Sequence, residues 1–192
     1  MKGVVFNLLE DVVTRSYGAD VWDDLLDAAE VDGAYTSLGS YPDEDVEKLV
    51  AAASKALGLE RSDVLRWFGR QAMGRLAELY PVFFEAHRTA RPFVLSVNSI
   101  IHPEVRKLYA GAGCPHFQFS ELGDALVMVY RSPRRLCALA EGFVEGASDH
   151  YGETVAFKHQ SCVEHGDEHC VFHIRWPIEA ERARETELVS AG

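Results

Sequence analysis

From the amino terminus to Pro115 the apolar residues recur every three to four positions, and beyond it they recur every two. Phe6, Leu9, Val12 and Val13 share one helical face, which predicts an amphipathic opening helix over residues 3–16. Val21 to Ala29 repeats the pattern with Trp22, Leu25 and Leu26. From Val31 to Pro42 the glycines, serines and proline break the period and predict a loop. Asp43 opens the next helix. Acids in its first turn complement the helix dipole, and Gly58 stands just past its end. Ser62 is placed to cap a helix carrying Val64, Trp67, Phe68, Leu76 and Leu79, and a short helix over 82–89 follows Tyr80-Pro81. Pro103 constrains the next segment, because proline inside a helix removes a hydrogen bond. With Ser99 as N-cap, Pro103 becomes the fourth helical residue, where the N–H has no partner to lose. That spacing predicts a helix over about 100–110 with His102 in its first turn, ended by Gly111-Ala-Gly113.

After Pro115, Phe117 and Phe119 alternate with polar residues, and Leu126 to Tyr130 follows the turn Leu122-Gly-Asp124. Residues 134–150 read as one long helix. Thr154 to Val163 and His169 to Trp176 are β-patterned and joined across Glu164-His-Gly-Asp167. The tail from 178 to 192 is charged and poor in apolar residues, as in a solvated helix or a disordered end. The order predicts one α+β unit over 1–177: an amino-terminal helical layer, then a small antiparallel sheet with a long helix packed on it.

Charge narrows the function. The chain has 192 residues, with 19 Lys plus Arg against 30 Asp plus Glu, a net charge of −11. That balance disfavours nucleic acid and anionic lipid as partners. No apolar run approaches the ~18 residues of a membrane span. The opening MKGVVFNLLEDVV lacks the layout of a signal peptide. These features predict a cytoplasmic protein, in which the four cysteines serve as thiols or metal ligands rather than disulfides.

Two groups of residues carry candidate chemistry. In Tyr130-Arg-Ser-Pro-Arg134 the alternate residues Tyr130, Ser132 and Arg134 point to one side of an extended chain, two hydroxyls and a guanidinium fork suited to carboxylates. The same row also reads as a solvated strand end. His102, between Ile100-Ile101 and a basic helix face, is by its pattern alone more often a satisfied, partly buried histidine than a ligand, though neutral imidazole is the commonest axial ligand of haem iron. Together the two groups match the needs of a haem: an axial imidazole, anchors for two propionates and an apolar chamber.

The sequence resembles the H-NOX family of haem nitric oxide/oxygen-binding domains, which is related to the haem domain of soluble guanylate cyclase. The opening MKGVVFNLLEDVV, Ser40-Tyr-Pro-Asp43, His102-Pro-Glu-Val-Arg-Lys-Leu-Tyr109 and Tyr-x-Ser-x-Arg occur in the family's order and separation over about residues 1–177. The resemblance implies haem b as cofactor, His102 as axial ligand, Tyr130, Ser132 and Arg134 on the propionates, and Pro115 pressing on and distorting the porphyrin. It implies a distal pocket of Val5, Leu9, Ala72, Leu139 and Phe143. Positions where oxygen-binding relatives carry a hydrogen-bonding network are apolar here: Leu9, Ala72 and Leu139. The implied function is a sensor that binds nitric oxide and carbon monoxide but not oxygen. It has no catalytic role, and its signal passes by release of the histidine and haem relaxation. The implied output lies on another chain, such as a histidine kinase or a cyclic-di-GMP synthase or phosphodiesterase.

The cysteines suggest a second site. Cys137, Cys162 and Cys170 with His159 have the types and number of a Cys₃His zinc site, with His165, His169 and His173 as rival ligands and Cys114 outside the set. Buried thiols also serve as small hydrophobes. Some bacterial H-NOX proteins resemble this arrangement and bind zinc there. Zinc thiolates are also oxidisable, which suggests a thiol redox sensor. The hairpin Gly166-Asp-x-x-Cys170 also resembles the V4R family, which implies a zinc-containing small-molecule-binding domain without haem. His102 and the Tyr130-x-Ser132-x-Arg134 row separate the two readings. A peroxidase-like enzyme is disfavoured, since peroxide cleavage wants a distal acid–base group.

Overall fold

A computed structural model describes residues 1–177, so the expected tail at 178–192 lies outside the described residues. Helices α1 (Gly3–Tyr17), α2 (Ala19–Ala29), α3 (Asp43–Leu57) and α4 (Arg61–Leu79) form the amino-terminal layer. Their shared core is built on Phe6, Leu49, Leu65 and Phe68. The loop between α2 and α3 folds back on α1 through a β-bridge from Lys2 to Ser40, and Tyr35 stacks on Phe6 with ring centroids 4.0 Å apart. Two short helices follow, α5 (Pro81–Glu85) and α6 (Ala90–Ser96), then α7 (His102–Leu108).

The carboxy-terminal layer is a four-stranded antiparallel sheet of β1 (His116–Leu122), β2 (Ala125–Arg131), β3 (Ala156–Ser161) and β4 (Cys170–Arg175), in the order β1-β2-β4-β3. Met128, Tyr130, Cys170, Phe172 and Ile174 face inward and are buried, as period-2 alternation requires. Helix α8 (Cys137–His150) lies on that face.

Helix α8 belongs to both cores. Cys137, Ala140, Val144 and Ala147 pack on the sheet, while Leu136, Ala138 and Leu139 pack on the amino-terminal helices. It lies backbone to backbone against α4. A Cβ on Gly142 would overlap the Arg66 carbonyl, and Cβ atoms on Gly69 and Gly146 would overlap the carbonyls of Leu139 and Arg70. Arg66 donates from Nε to Glu145 (2.9 Å), and Arg70 forks onto Asp149 (2.5 and 2.9 Å).

The helix carrying His102 departs from the sequence expectation. Ser99 does not cap a new helix. Residues 90–108 form one continuous helical run, interrupted by a π-helical turn at Val97–Ile101. The His102 N–H bonds to the Val97 carbonyl, five residues back. In a regular α-helix the ring of Pro103 would clash with the carbonyl of Ser99. The wider turn accommodates the proline without ending the helix. Other boundaries shift for local reasons. Helix α4 starts at Arg61, with Ser62 inside its first turn. The short helix expected over 82–89 shortens to Pro81–Glu85, and α6 adds an element that residue spacing did not reveal. Helix α8 begins at Cys137 rather than 134, because Pro133 and Arg135, the latter at φ +53°, turn the chain out of β2.

Gly142→Ala should push α4 and α8 apart and destabilise the fold by about 1–3 kcal/mol, the usual cost of overpacking, read as a lower denaturant midpoint.

Candidate functional site

Between the two cores lies a cavity of about 360 Å³, within the ~300–1,000 Å³ range of ligand clefts. Its wall is apolar over most of its extent, with Phe68, Phe83, Val94, Met128 and Val144 from five elements. His102, Pro115, Tyr130, Ser132 and Arg134 all line it. Val5, Leu139 and Phe143 line it as well. Leu9 and Ala72 do not: Ala72 is fully buried inside the helical core and Leu9 packs against that core. Their expected place rests on the family resemblance, and here their helices set them in the helical core behind the wall.

His102 enters from the π-turn, with its ring stacked on Phe117 (centroids 5.9 Å apart, planes 25° apart). Burial, with Arg106 and His116 nearby, lowers its pKa from 6.5 to about 4, so the imidazole is neutral at physiological pH. The Pro115 carbonyl beside the ring pulls the other way but lies outside hydrogen-bond geometry. The Nδ1 atom is buried with no partner among the described residues. A neutral imidazole with no hydrogen-bond partner, on the wall of an apolar cavity, has the lone pair that a metal ligand needs.

The polar rim is built at the end of β2. The Tyr130 hydroxyl accepts from the Leu136 N–H (3.1 Å), and Ser132 Oγ accepts from the Arg134 N–H (3.3 Å). Arg134 donates from Nε to Asp43 (2.7 Å) and from Nη1 to the Gly113 carbonyl (2.6 Å). Nη2 has no protein partner among the described residues, so the guanidinium keeps a donor for an incoming carboxylate. The Met1 amine binds the other oxygen of Asp43 (2.6 Å). Burial pushes the Asp43 carboxyl up, but the Met1 amine and Arg134 outweigh it and hold it below its ordinary value. Sequence reasoning assigns Asp43 to the helix dipole and gives Met1 no role. A chain terminus and a residue 91 positions from its partner leave no local signature.

The cysteines separate as expected into a trio and Cys114, which lines the cavity. The sulfurs of Cys137, Cys162 and Cys170 lie within 4.8 Å of one another, with Sγ–Sγ distances of 3.7 Å and 3.8 Å. A tetrahedral site with ~2.3 Å Zn–S bonds has edges of about 3.8 Å. Burial, then the neighbouring thiols, pushes the Cys137 thiol far above its ordinary range, as like groups without a cation require. His159 is not with the sulfurs: its Nε2 pairs with Glu141 Oε2 at 2.9 Å. Nor do His165, His169 or His173 join the trio, and His173 binds Gln160 instead. Glu141, buried on α8 one turn from Cys137, competes for His159 and also pairs with Arg66 (3.4 Å).

An apolar slot with one neutral imidazole on its wall and an arginine-anchored polar rim is the layout that a haem-binding domain needs. The chain belongs to the haem-NO-binding family, whose model matches residues 2–159. An H-NOX protein from S. oneidensis in the Fe(II)NO state shares 32% identity and superposes with a TM-score of 0.86, over 93% of this chain and 100% of that one. An H-NOX domain from Shewanella oneidensis in the Fe(II)CO state shares 31% identity with a TM-score of 0.83, over 93% and 100%. A mutant H-NOX protein from K. algicida, Fe(II) unliganded, shares 25% with a TM-score of 0.82, over 93% and 98%. Among the described residues no helix is long and apolar enough to cross a membrane.

The depressed pKa of His102 gives a pH signature in the haem-free chain. Below its ordinary pKa of 6.5 the unfolded chain takes up a proton that the folded chain refuses until about 4. Stability should therefore fall as pH drops from 6.5 to 4, and His102→Gly should flatten that slope in denaturant midpoints measured across the window.

Proposed function

We propose that this chain is a non-catalytic sensor of nitric oxide. It holds haem b on His102, binds carbon monoxide as well, excludes oxygen, and signals to a separate effector. The supporting observation is the cavity itself, a neutral unpartnered imidazole facing an apolar chamber whose polar groups gather at an arginine rim. When bound, the haem iron supplies the coordination position that takes the gas.

The chain's residues set how that position behaves. His102 offers its lone pair without first losing a proton. Arg134, with Tyr130 and Ser132, orients the two propionates and balances their charge in an otherwise acidic protein. Pro115, which lines the cavity beside the His102 ring, would press on a bound haem and distort it. On α1 and α8, Val5, Leu139 and Phe143 present no donor. Bound oxygen carries partial negative charge, and in a dry site a missing charge-assisted hydrogen bond forfeits ~1.5–3 kcal/mol. Nitric oxide and carbon monoxide need that bond far less. With a haem held on His102, loss of that bond on binding nitric oxide would free α7 to move relative to Pro115, and such a movement would be the two-state element a switch requires. A histidine kinase or a cyclic-di-GMP synthase or phosphodiesterase is the class of effector this reading favours, in a cytoplasmic setting. The ferrous protein should form complexes with nitric oxide and carbon monoxide and give no stable oxy spectrum in air-saturated buffer. Its nitric oxide complex should be five-coordinate. A stable oxy band would overturn the exclusion of oxygen, and a six-coordinate Soret band would overturn release of His102.

The thiol trio fits zinc by its edge lengths, and we read it as a zinc site open to oxidation. His159 completes it only by leaving Glu141 or by offering its Nδ1 atom. Protein purified without chelator should carry stoichiometric zinc, lost in Cys162→Ser. Zinc content near zero in the unmutated chain would remove the site.

A further inference from the structure

A histidine that ligates a metal normally donates its second ring N–H to a fixed acceptor, which sets the ring's orientation. The buried His102 Nδ1 has no partner at full hydrogen-bond geometry among the described residues, and only the Pro115 carbonyl stands beside the ring. The ring's place is therefore set by its stacking on Phe117 and by the backbone that carries it. That backbone follows directly on the π-turn, which is wider than the helix on either side and is bonded i to i−5 through the His102 N–H itself.

Asn98 sits inside this turn and is half-buried. Its side-chain amide makes two hydrogen bonds to a single residue of β1. Nδ2 donates to the Phe117 carbonyl at 2.5 Å, and Oδ1 accepts from the Phe117 N–H at 3.3 Å. Strand β1 is the edge of the sheet, with β2 on its other side. Asn98 therefore pairs with Phe117 much as a neighbouring strand would, satisfying two edge groups that would otherwise need water. The ring of the same residue, Phe117, carries the His102 imidazole. Phe117 also follows Pro115 by two residues, so one anchor point fixes the histidine and the proline relative to each other.

We propose that Asn98 is the positioning residue for His102: its amide pins the π-turn to the edge of β1 and so sets where the imidazole stands relative to Pro115. This rests on the reading of His102 as the axial ligand. Loosening the clamp leaves His102 in place chemically but lets α7 shift, which weakens the ligand bond and eases its release.

The test uses the haem-loaded full chain with Asn98→Ala and Asn98→Gln, the latter keeping both amide functions on a longer arm. In Asn98→Ala the iron–histidine stretching band of the ferrous unliganded protein should move to lower frequency. Conversion of the nitric oxide complex to five-coordinate should run roughly 2–10-fold faster, the span of one net hydrogen bond. Amide exchange over 97–108 should rise, and Asn98→Gln should fall between Asn98→Ala and the unmutated chain. Asn98→Ala that loads haem with an unchanged band and unchanged conversion overturns the proposal. If Asn98→Ala does not load haem, Asn98→Asp, which keeps only the bond from the Phe117 N–H, is read by the same band, and no shift there overturns it equally. His102→Gly separates the two levels. If it retains the axial band, the ligand assignment fails, whatever Asn98 does.

Discussion

The approach of α4 to α8 is the constraint on which the rest of the molecule depends. Gly69, Gly142 and Gly146 let the two backbones meet where any side chain would collide with a carbonyl. That contact turns α8 into a shared wall: one side seals the sheet and the other seals the helical layer. Both cores are thereby fixed to one spine, and the cavity is lined by residues of each, Phe68 and Leu139 from one and Met128 and Val144 from the other. The ion pairs of Arg66 and Arg70 with Glu141, Glu145 and Asp149 line the same seam. The Arg70–Asp149 pair is half exposed and contributes modestly, whereas Glu141 and Glu145 are buried and rely on Arg66 for counter-charge. Their effect is to favour one register of the two helices over its neighbours.

The slot is apolar and the chain is acidic, which shapes its electrostatics. A protonated His102 would be a buried cation close to Arg106 and His116, and its lowered pKa reflects that cost. The dianionic face of a haem would be repelled by the surrounding acids unless a cation met it. Arg134 is that cation, already oriented by Asp43 and Gly113. Asp43 in turn is neutralised by the Met1 amine, so the charge of the rim closes on itself without calling on the acidic surface.

Much of this is legible in the sequence, and what is not shares a cause. Helices α1 to α4 follow from period and punctuation, because each buries one stripe. The sheet follows from alternation after Pro115. His102, Tyr130, Ser132 and Arg134 stand out because they sit in compact motifs that resemble a family. The π-turn escapes because periodicity assumes one helical pitch, on which Pro103 demands a fresh start at Ser99. Leu9 and Ala72 are carried over from the family resemblance, which does not fix how their helices are rotated in this chain. His159 joins the thiols by residue type, but type does not reveal that buried Glu141 holds its ring.

The two candidate metal sites are not independent in the chain. Tyr130 of the polar rim lies directly opposite Cys170 of the thiol trio across β2 and β4. Leu136, whose N–H binds the Tyr130 hydroxyl, precedes Cys137. Arg135 reaches from the same turn to the Val163 carbonyl, next to Cys162, and to Glu164. Residues 130–137 thus hold the rim of the cavity on one side and the thiols on the other, with Arg135 in a left-handed conformation that non-glycine residues rarely adopt. These eight residues serve both sites at once, which is why the rim and the thiols keep a fixed spacing in this fold.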